Sequence, residues 1–206
     1  IGSEAFAGCS LLQRIALPSE LTEIGRMAFT ECTSLRAVAV PNSVQTIGDY
    51  AFSYCKSLTL AVLPEALEIL PEGLFLGCSS LTDVQLAGNV TTISKWAFSD
   101  CTALESLSIP ESVTSIGQHV FDRCDSLKEI NVNEKNTAFV SEDGVLYTAG
   151  KTKLLYCPAA REASTFVFPG TVTEIGDWAL YSYRNLAHVE IPKSVQSIGE
   201  GAFCGC

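Results

Sequence analysis

The sequence predicts an α/β solenoid made from one short unit, a strand and a single helical turn, repeated along the chain. Three observations carry that prediction. An Ile-Gly step stands at Ile1-Gly2, Ile24-Gly25, Ile47-Gly48 and Ile116-Gly117, with Leu70-Pro71 and Ile93-Ser94 at the same period of 23 residues. The step resumes at Ile175-Gly176 and Ile198-Gly199. A leucine opens each copy, at Leu12, Leu35, Leu58, Leu81, Leu104, Leu127 and Leu186. An Ala-Phe pair followed three residues later by Cys closes it, as in Ala28-Phe29 with Cys32 and Ala51-Phe52 with Cys55.

Each element follows from its residues. Three positions after the leucine come Ile15, Val38, Ala61, Val84, Leu107, Ile130 and Val189; two further on come Leu17, Val40, Leu63, Leu86, Ile109, Val132 and Ile191. Apolar residues two apart, usually with a small or polar residue between, predict a strand with one face inward. Pro18, Pro41, Pro64, Pro110 and Pro192 then stop that strand, because proline has no N–H to give to a ladder. A second extended piece or bend leads from Val44 or Val113 into the Ile-Gly step, where glycine permits a backbone angle that other residues resist. Ala-Phe-x-x-Cys places Phe and Cys on one side of one helical turn, too short to hold without neighbouring coils. A single copy is predicted not to fold.

Hydrophobic residues make up 47% of the 206 and charged residues 17%, so most positions serve a core. The net charge of −10 argues against nucleic acid and anionic membrane surfaces, since no basic patch is present to displace counterions. No apolar run approaches the roughly 18 residues that a membrane helix needs, so this segment is not expected to insert. Ile1 and Cys206 both fall inside a copy, and neither end resembles a polar capping unit; the chain reads as part of a longer one.

Reduced to its fixed positions, the unit is L-x-x-[IV]-x-[LIV]-P-x-x-[LV]-x-x-I-G-x-x-A-F-x-x-C. It resembles the BspA-type leucine-rich repeats over Ile1 to Val132 and Phe166 to Cys206, departing at Leu70-Pro71, Ala87, Ser94, Leu180 and Tyr183 without breaking the pattern. The resemblance implies a leucine-rich-repeat solenoid, a right-handed β-α superhelix with a parallel sheet on one face and short helical or irregular segments behind. It implies one domain over 1–206, and proteins that are mostly secreted or on the bacterial cell surface, some adhering to host proteins or other cells. It carries no shared catalytic residues. The insertion at about 133–165 resembles a module of such proteins. Phe139 to Gly144 reads as a turn into Val145–Thr148, and Lys153 to Pro158 runs back as a hairpin.

Chemistry is sparse. No G-x-S-x-G, glycine-rich phosphate loop, H-E-x-x-H or matched pair of C-x-x-C occurs, so no catalytic residue, metal ligand or cofactor is expected. Cys9, Cys32, Cys55, Cys78, Cys101 and Cys124 form one column, which reads either as a disulfide or soft-metal ladder or as a file of small buried thiols. The repeat itself explains the periodicity and favours buried thiols; Cys206 rejoins the register after Tyr183 stands in for the previous member, and Cys204 and Cys206 are the expected exceptions, with the redox state of Cys157 also open. His119 and His188 show no evident partner for nucleophilic catalysis.

The outward strand positions vary from copy to copy. They run Arg14 and Ala16, Ala37 and Ala39, Leu60 and Val62, Asp83 and Gln85, Ser106 and Ser108, Glu129 and Asn131, then His188 and Glu190. The face grades from apolar to polar and acidic, and a concave face of this kind suits a protein partner or a cell-surface or matrix ligand. A merely solvated sheet fits the same residues. A row of Tyr50, Trp96, His119 and Trp178 is a second candidate surface, better explained as packing between coils. A structural spacer is the alternative function, with an enzyme site in the insertion near Glu142, Asp143, Tyr147 and Tyr156 as a more remote third.

Overall fold

The computed structural model describes residues 1–86 and 88–206, so Ala87, one of the departures from the repeat, lies outside the described residues. The chain divides into two compact units, Ile1–Leu104 with Ser112–Cys124, and Glu105–Glu111 with Asp125–Cys206. Its strands are short, as the spacing of apolar residues and prolines requires. In the first unit come β1 (Glu23–Ile24), β2 (Ala37–Ala39), β3 (Thr46–Ile47), β4 (Leu60–Val62), β5 (Ile69–Leu70), β6 (Asp83–Gln85) and β7 (Thr92–Ile93). Next is β8 (Ser106–Ile109), which belongs to the second unit, and then β9 (Ser115–Ile116), which belongs to the first.

Residues one period apart lie side by side. The parallel sheet β2-β4-β6 aligns Val38 with Ala61 and Ala61 with Val84, each offset by the repeat length. The Ile-Gly steps form a second set of parallel pairings, β1-β3 and β5-β7-β9. The phenylalanines stack in a column of their own. Ring centroids of Phe6, Phe29, Phe52, Phe75, Phe98 and Phe121 are 5.1 to 6.1 Å apart, at interplanar angles of 20° or less.

The predicted helical turn is absent: the described residues contain no helix, and the architecture is a β-solenoid rather than a β-α superhelix. The reason is a left-handed residue at every fourth position of this segment. Met27 and Glu31, Tyr50 and Tyr54, Trp96 and Asp100, and His119 and Arg123 all have φ between 54° and 60°, and Gly73 and Gly77 occupy the same places with φ of 58° and 73°. Such residues cannot continue a right-handed helix. The chain makes consecutive β-turns instead, with Ala28 N donating to Gly25 O (3.2 Å), Thr30 N to Met27 O (3.1 Å) and Cys32 N to Phe29 O (3.2 Å). The alternate amides reach the next coil: Met27 N to Asp49 O (2.9 Å), Phe29 N to Ala51 O (2.8 Å) and Glu31 N to Ser53 O (2.9 Å). A left-handed non-glycine residue costs about 1 kcal/mol or more. The rungs it sets up to the neighbouring coil offset that cost.

The second unit joins coils to the insertion. Strand β8 pairs in parallel with β10 (Glu129–Val132). An antiparallel sheet follows, of β11 (Phe139–Glu142), β12 (Val145–Thr148) and β13 (Lys153–Tyr156). The Phe139 to Gly144 stretch is therefore a strand plus a tight turn, Asp143-Gly144, with φ of 50° and 75° at its two central residues. After β14 (Thr165–Phe166) come β15 (Glu174–Ile175), β16 (His188–Val189) and β17 (Ser197–Ile198). Strand β13 pairs in parallel with β15, and β15 with β17, so the last strand of the insertion stands where a coil would supply its Ile-Gly step.

Candidate functional site

The alternation within each strand decides which side chains face out. In the first unit Val38 and Ala61 are buried while Ala37 and Ala39 are exposed and Leu60 and Val62 half-buried. Register places Asp83 beside Leu60 and Gln85 beside Val62, so two exposed polar groups border a small apolar patch. Arg14, also exposed, belongs to the coil before β2, tied to it by Arg36 N donating to Gln13 O at 3.3 Å.

In the second unit Ser106 lies opposite Glu129 and Ser108 opposite Asn131. Asn131 Nδ2 donates to Glu129 Oε1 at 3.0 Å, which presents the pair as one polar surface. His188 lies opposite Thr165, and both line a depression of about 320 Å³ with Val167, Glu190, Pro192 and the edge-to-face pair Phe166–Phe168. Val167 is 81% exposed there. Thr165 and Val167 are functional candidates that sequence reasoning passed over, although they stand one period before His188 and Glu190. The candidate residues thus fall into separate sets: Arg14, Asp83 and Gln85 in the first unit, the rest in the second.

The aromatic row has the geometry of packing between coils. The Tyr50 ring covers Gly73, whose missing Cβ leaves the room, and the Tyr50 hydroxyl donates to the Glu72 carboxylate. Glu72 also meets Lys95 Nζ at 3.3 Å, and that ammonium sits 4.6 Å from the Trp96 ring centre. Burial, then the hydrogen bond to Glu72, pushes the Tyr50 phenol up to about 12, and the same bond draws the Glu72 carboxyl below its ordinary value. Trp178 covers Gly201 in the second unit in the same way, where a Cβ would come within 2.6 Å of its ring. His119 has a partner that the sequence did not suggest: its Nδ1 lies 2.7 Å from Asp122 Oδ2, three residues on.

The cysteines of the column are thiols rather than disulfides, and Cys32, Cys55, Cys78, Cys101 and Cys124 are buried. Each of these five buried thiols donates to the phenylalanine carbonyl of the coil before it, as Cys55 Sγ does to Phe29 O at 3.2 Å and Cys78 Sγ to Phe52 O at 3.1 Å. Burial pushes Cys32 up to about 11 and Cys55 to about 12, and holds Cys78 and Cys101 well above the ordinary thiol value. These are thiols held in the protonated, unreactive form. In the insertion, Tyr147 and Tyr156 are core side chains, and Glu142 Oε1 pairs with Lys151 Nζ at 2.7 Å. Asp143 is exposed and Glu142 half-buried, so the four groups are divided between core and surface. Among the described residues no group of three or more His, Cys, Asp or Glu is arranged to hold a metal, and no helix is long and apolar enough to cross a membrane.

The fold has solved relatives. A leucine rich cell surface protein from Faecalibacterium prausnitzii is 34% identical over 98% of this chain and 61% of its own, with a TM-score of 0.80. A leucine-rich repeat protein from Eubacterium ventriosum is 29% identical over 88% of this chain and 48% of its own, with a TM-score of 0.77. The T. pallidum leucine rich repeat protein is 28% identical over 92% of this chain and 74% of its own, at 0.60. The chain therefore spans about half to three-fifths of the first two. No curated protein matches it. The model of the BspA type leucine rich repeat region matches residues 1–128 and 156–206 in six copies, the same coils whose leucines, glycines and cysteines stack above, and the chain belongs to that family.

Proposed function

We propose that this chain is a non-catalytic repeat protein, secreted or held at a bacterial cell surface, that presents its outward strand residues to a protein partner or to a cell-surface or matrix ligand. One observation carries the reading. The inward strand position stays apolar in every coil, while its outward neighbours change from alanine to leucine to aspartate to serine to glutamate. A repeat that needed only to stack would place no demand on those outward groups, whereas a binding face draws its specificity from them. The surface location is supported by the family and by the cell-surface relative from Faecalibacterium prausnitzii. The test is a binding screen against host matrix proteins, cell-surface proteins and glycans. It is repeated with the triple variant Asp83→Ala, Glu129→Ala, Glu190→Ala. Binding that weakens about tenfold or more in the variant supports the reading. Binding that is absent, or indifferent to the variant, leaves the chain as a spacer.

A further inference from the structure

At the Ile-Gly step the backbones of neighbouring coils approach closely. A Cβ on Gly25 would lie 2.6 Å from the Ser3 backbone nitrogen, one on Gly117 would lie 2.5 Å from that of Lys95, and one on Gly48 would strike the Arg26 backbone. Glycine lets the coil settle there with no side chain in the way, and Ser94 is the one small residue that takes its place, its amide bonding Leu70 O at 3.0 Å. The glycine amide likewise bonds the coil before: Gly25 N to Ile1 O, Gly48 N to Ile24 O and Gly117 N to Ile93 O, each at 2.8 Å. At Pro71 both conditions fail. Proline has no N–H to offer the Ile47 carbonyl, and it carries a ring where the other coils carry a hydrogen or, at Ser94, a small side chain. The second sheet is accordingly split between β3 and β5, although β2-β4-β6 and the phenylalanine column run on without interruption.

An open-sided groove of about 630 Å³ lies at this split. Ile47, Ile69 and Pro71 give it apolar walls, and Ile69 is 54% exposed. Asp49 and Glu68 stand at the same groove, and among the described residues lining it none is basic. The Asp49 carboxylate is held in place by the Glu72 amide, which donates to Oδ1 at 3.1 Å. An aliphatic wall beside two carboxylates and a backbone carbonyl without its ladder donor is complementary to a long side chain with a cationic, multiply donating head.

We propose that this groove docks an arginine side chain of a partner peptide, the stem against Ile47, Ile69 and Pro71 and the guanidinium toward Asp49, Glu68 and the Ile47 carbonyl. The site lies on a different sheet from the outward strand residues of the proposed function and stands or falls without them.

The test is calorimetric and NMR titration of the whole chain with a blocked Leu-Arg-Leu peptide, and with the same peptide carrying citrulline, the neutral isostere, in place of arginine. The arginine peptide binds, shifting the amides of residues 46–49 and 68–72. Citrulline, or the double variant Asp49→Asn, Glu68→Gln, weakens it by roughly tenfold or more, since each removes charge-assisted bonds while keeping the shape. Pro71→Gly restores the step used by the other coils, so the residue 71 amide gains protection from exchange and binding is lost. Equal affinity for the citrulline peptide, absence of binding, or full binding by Pro71→Gly overturns the proposal. A concentration-dependent dimer abolished by Pro71→Gly would also overturn it, assigning the groove to a second copy of the chain.

Discussion

The two units solve the same packing problem with different means. In the first, a column of phenylalanines and a column of cysteines fill the interior, and each member differs from the next only by its place along the stack. In the second, the interior is mixed: Val145, Tyr147, Leu154 and Cys157 from the insertion meet Phe166, Phe168, Leu180 and Tyr183 from the resumed coils. Tyr183 stands where the repeat has cysteine, and its hydroxyl donates to Ala163 O at 2.7 Å. A column needs only an unbroken register. Where an insertion interrupts the register, the same volume is filled by shape, and the residues that fill it no longer resemble one another.

The contrast can be sharpened at high pH, where the largest effect is expected. A buried thiol whose folded value lies above its unfolded value of 9.0 gives full stability below pH 9, and that stability is lost as pH rises toward the folded value. The first unit holds four such thiols in file, Cys32, Cys55, Cys78 and Cys101, so its unfolding midpoint should fall steadily from pH 9 upward. A Cys55→Ala, Cys78→Ala, Cys101→Ala variant should flatten that slope, whatever its starting stability, when read by denaturant melts from pH 7 to 11. Next in size is Phe52→Ala, which opens a gap between two stacked rings and should cost about 3–5 kcal/mol by chemical denaturation. A cost under about 1 kcal/mol would mean that the column closes on itself and is not rigid. Smallest is Tyr183→Phe in the second unit, which keeps the ring but leaves the Ala163 carbonyl unmet, for a loss of about 1 kcal/mol in the same measurement.

Much of this was legible because stacking forces identity. Leu35, Leu58 and Leu81, or Cys32, Cys55 and Cys78, had to be interior once they recurred in phase, and they are buried. The helical turn was misread because Ala-Phe-x-x-Cys has a spacing that a helical turn and consecutive β-turns share. The discriminating signal was present: Gly8, Gly73, Gly77, Gly201 and Gly205 recur at the two places where other coils put Met27 or Glu31, and glycine there marks a positive φ. The Asp143-Gly144 turn was likewise written in a dipeptide that favours two-residue hairpins. Of the candidate face, the outward residues were legible from alternation, but the depression beside His188 was not, because it depends on how Phe168 and Pro192 sit. Pro71 was visible as a departure from pattern. The groove it opens follows only from the closeness of coils at the glycine step, a distance that no sequence states.

That missing rung has a mechanical consequence. In the first unit the bonds joining coils point along the direction in which the coils succeed one another, so a pulling load is carried by whichever rungs span a given pair. The pair joined at Ile47 and Leu70 carries one rung fewer at the glycine step than the pairs joined at Ile24 and Ile47 or at Ile93 and Ile116. Drawn out from its ends, the first unit should yield at that seam before any other and extend from there, one coil after the next.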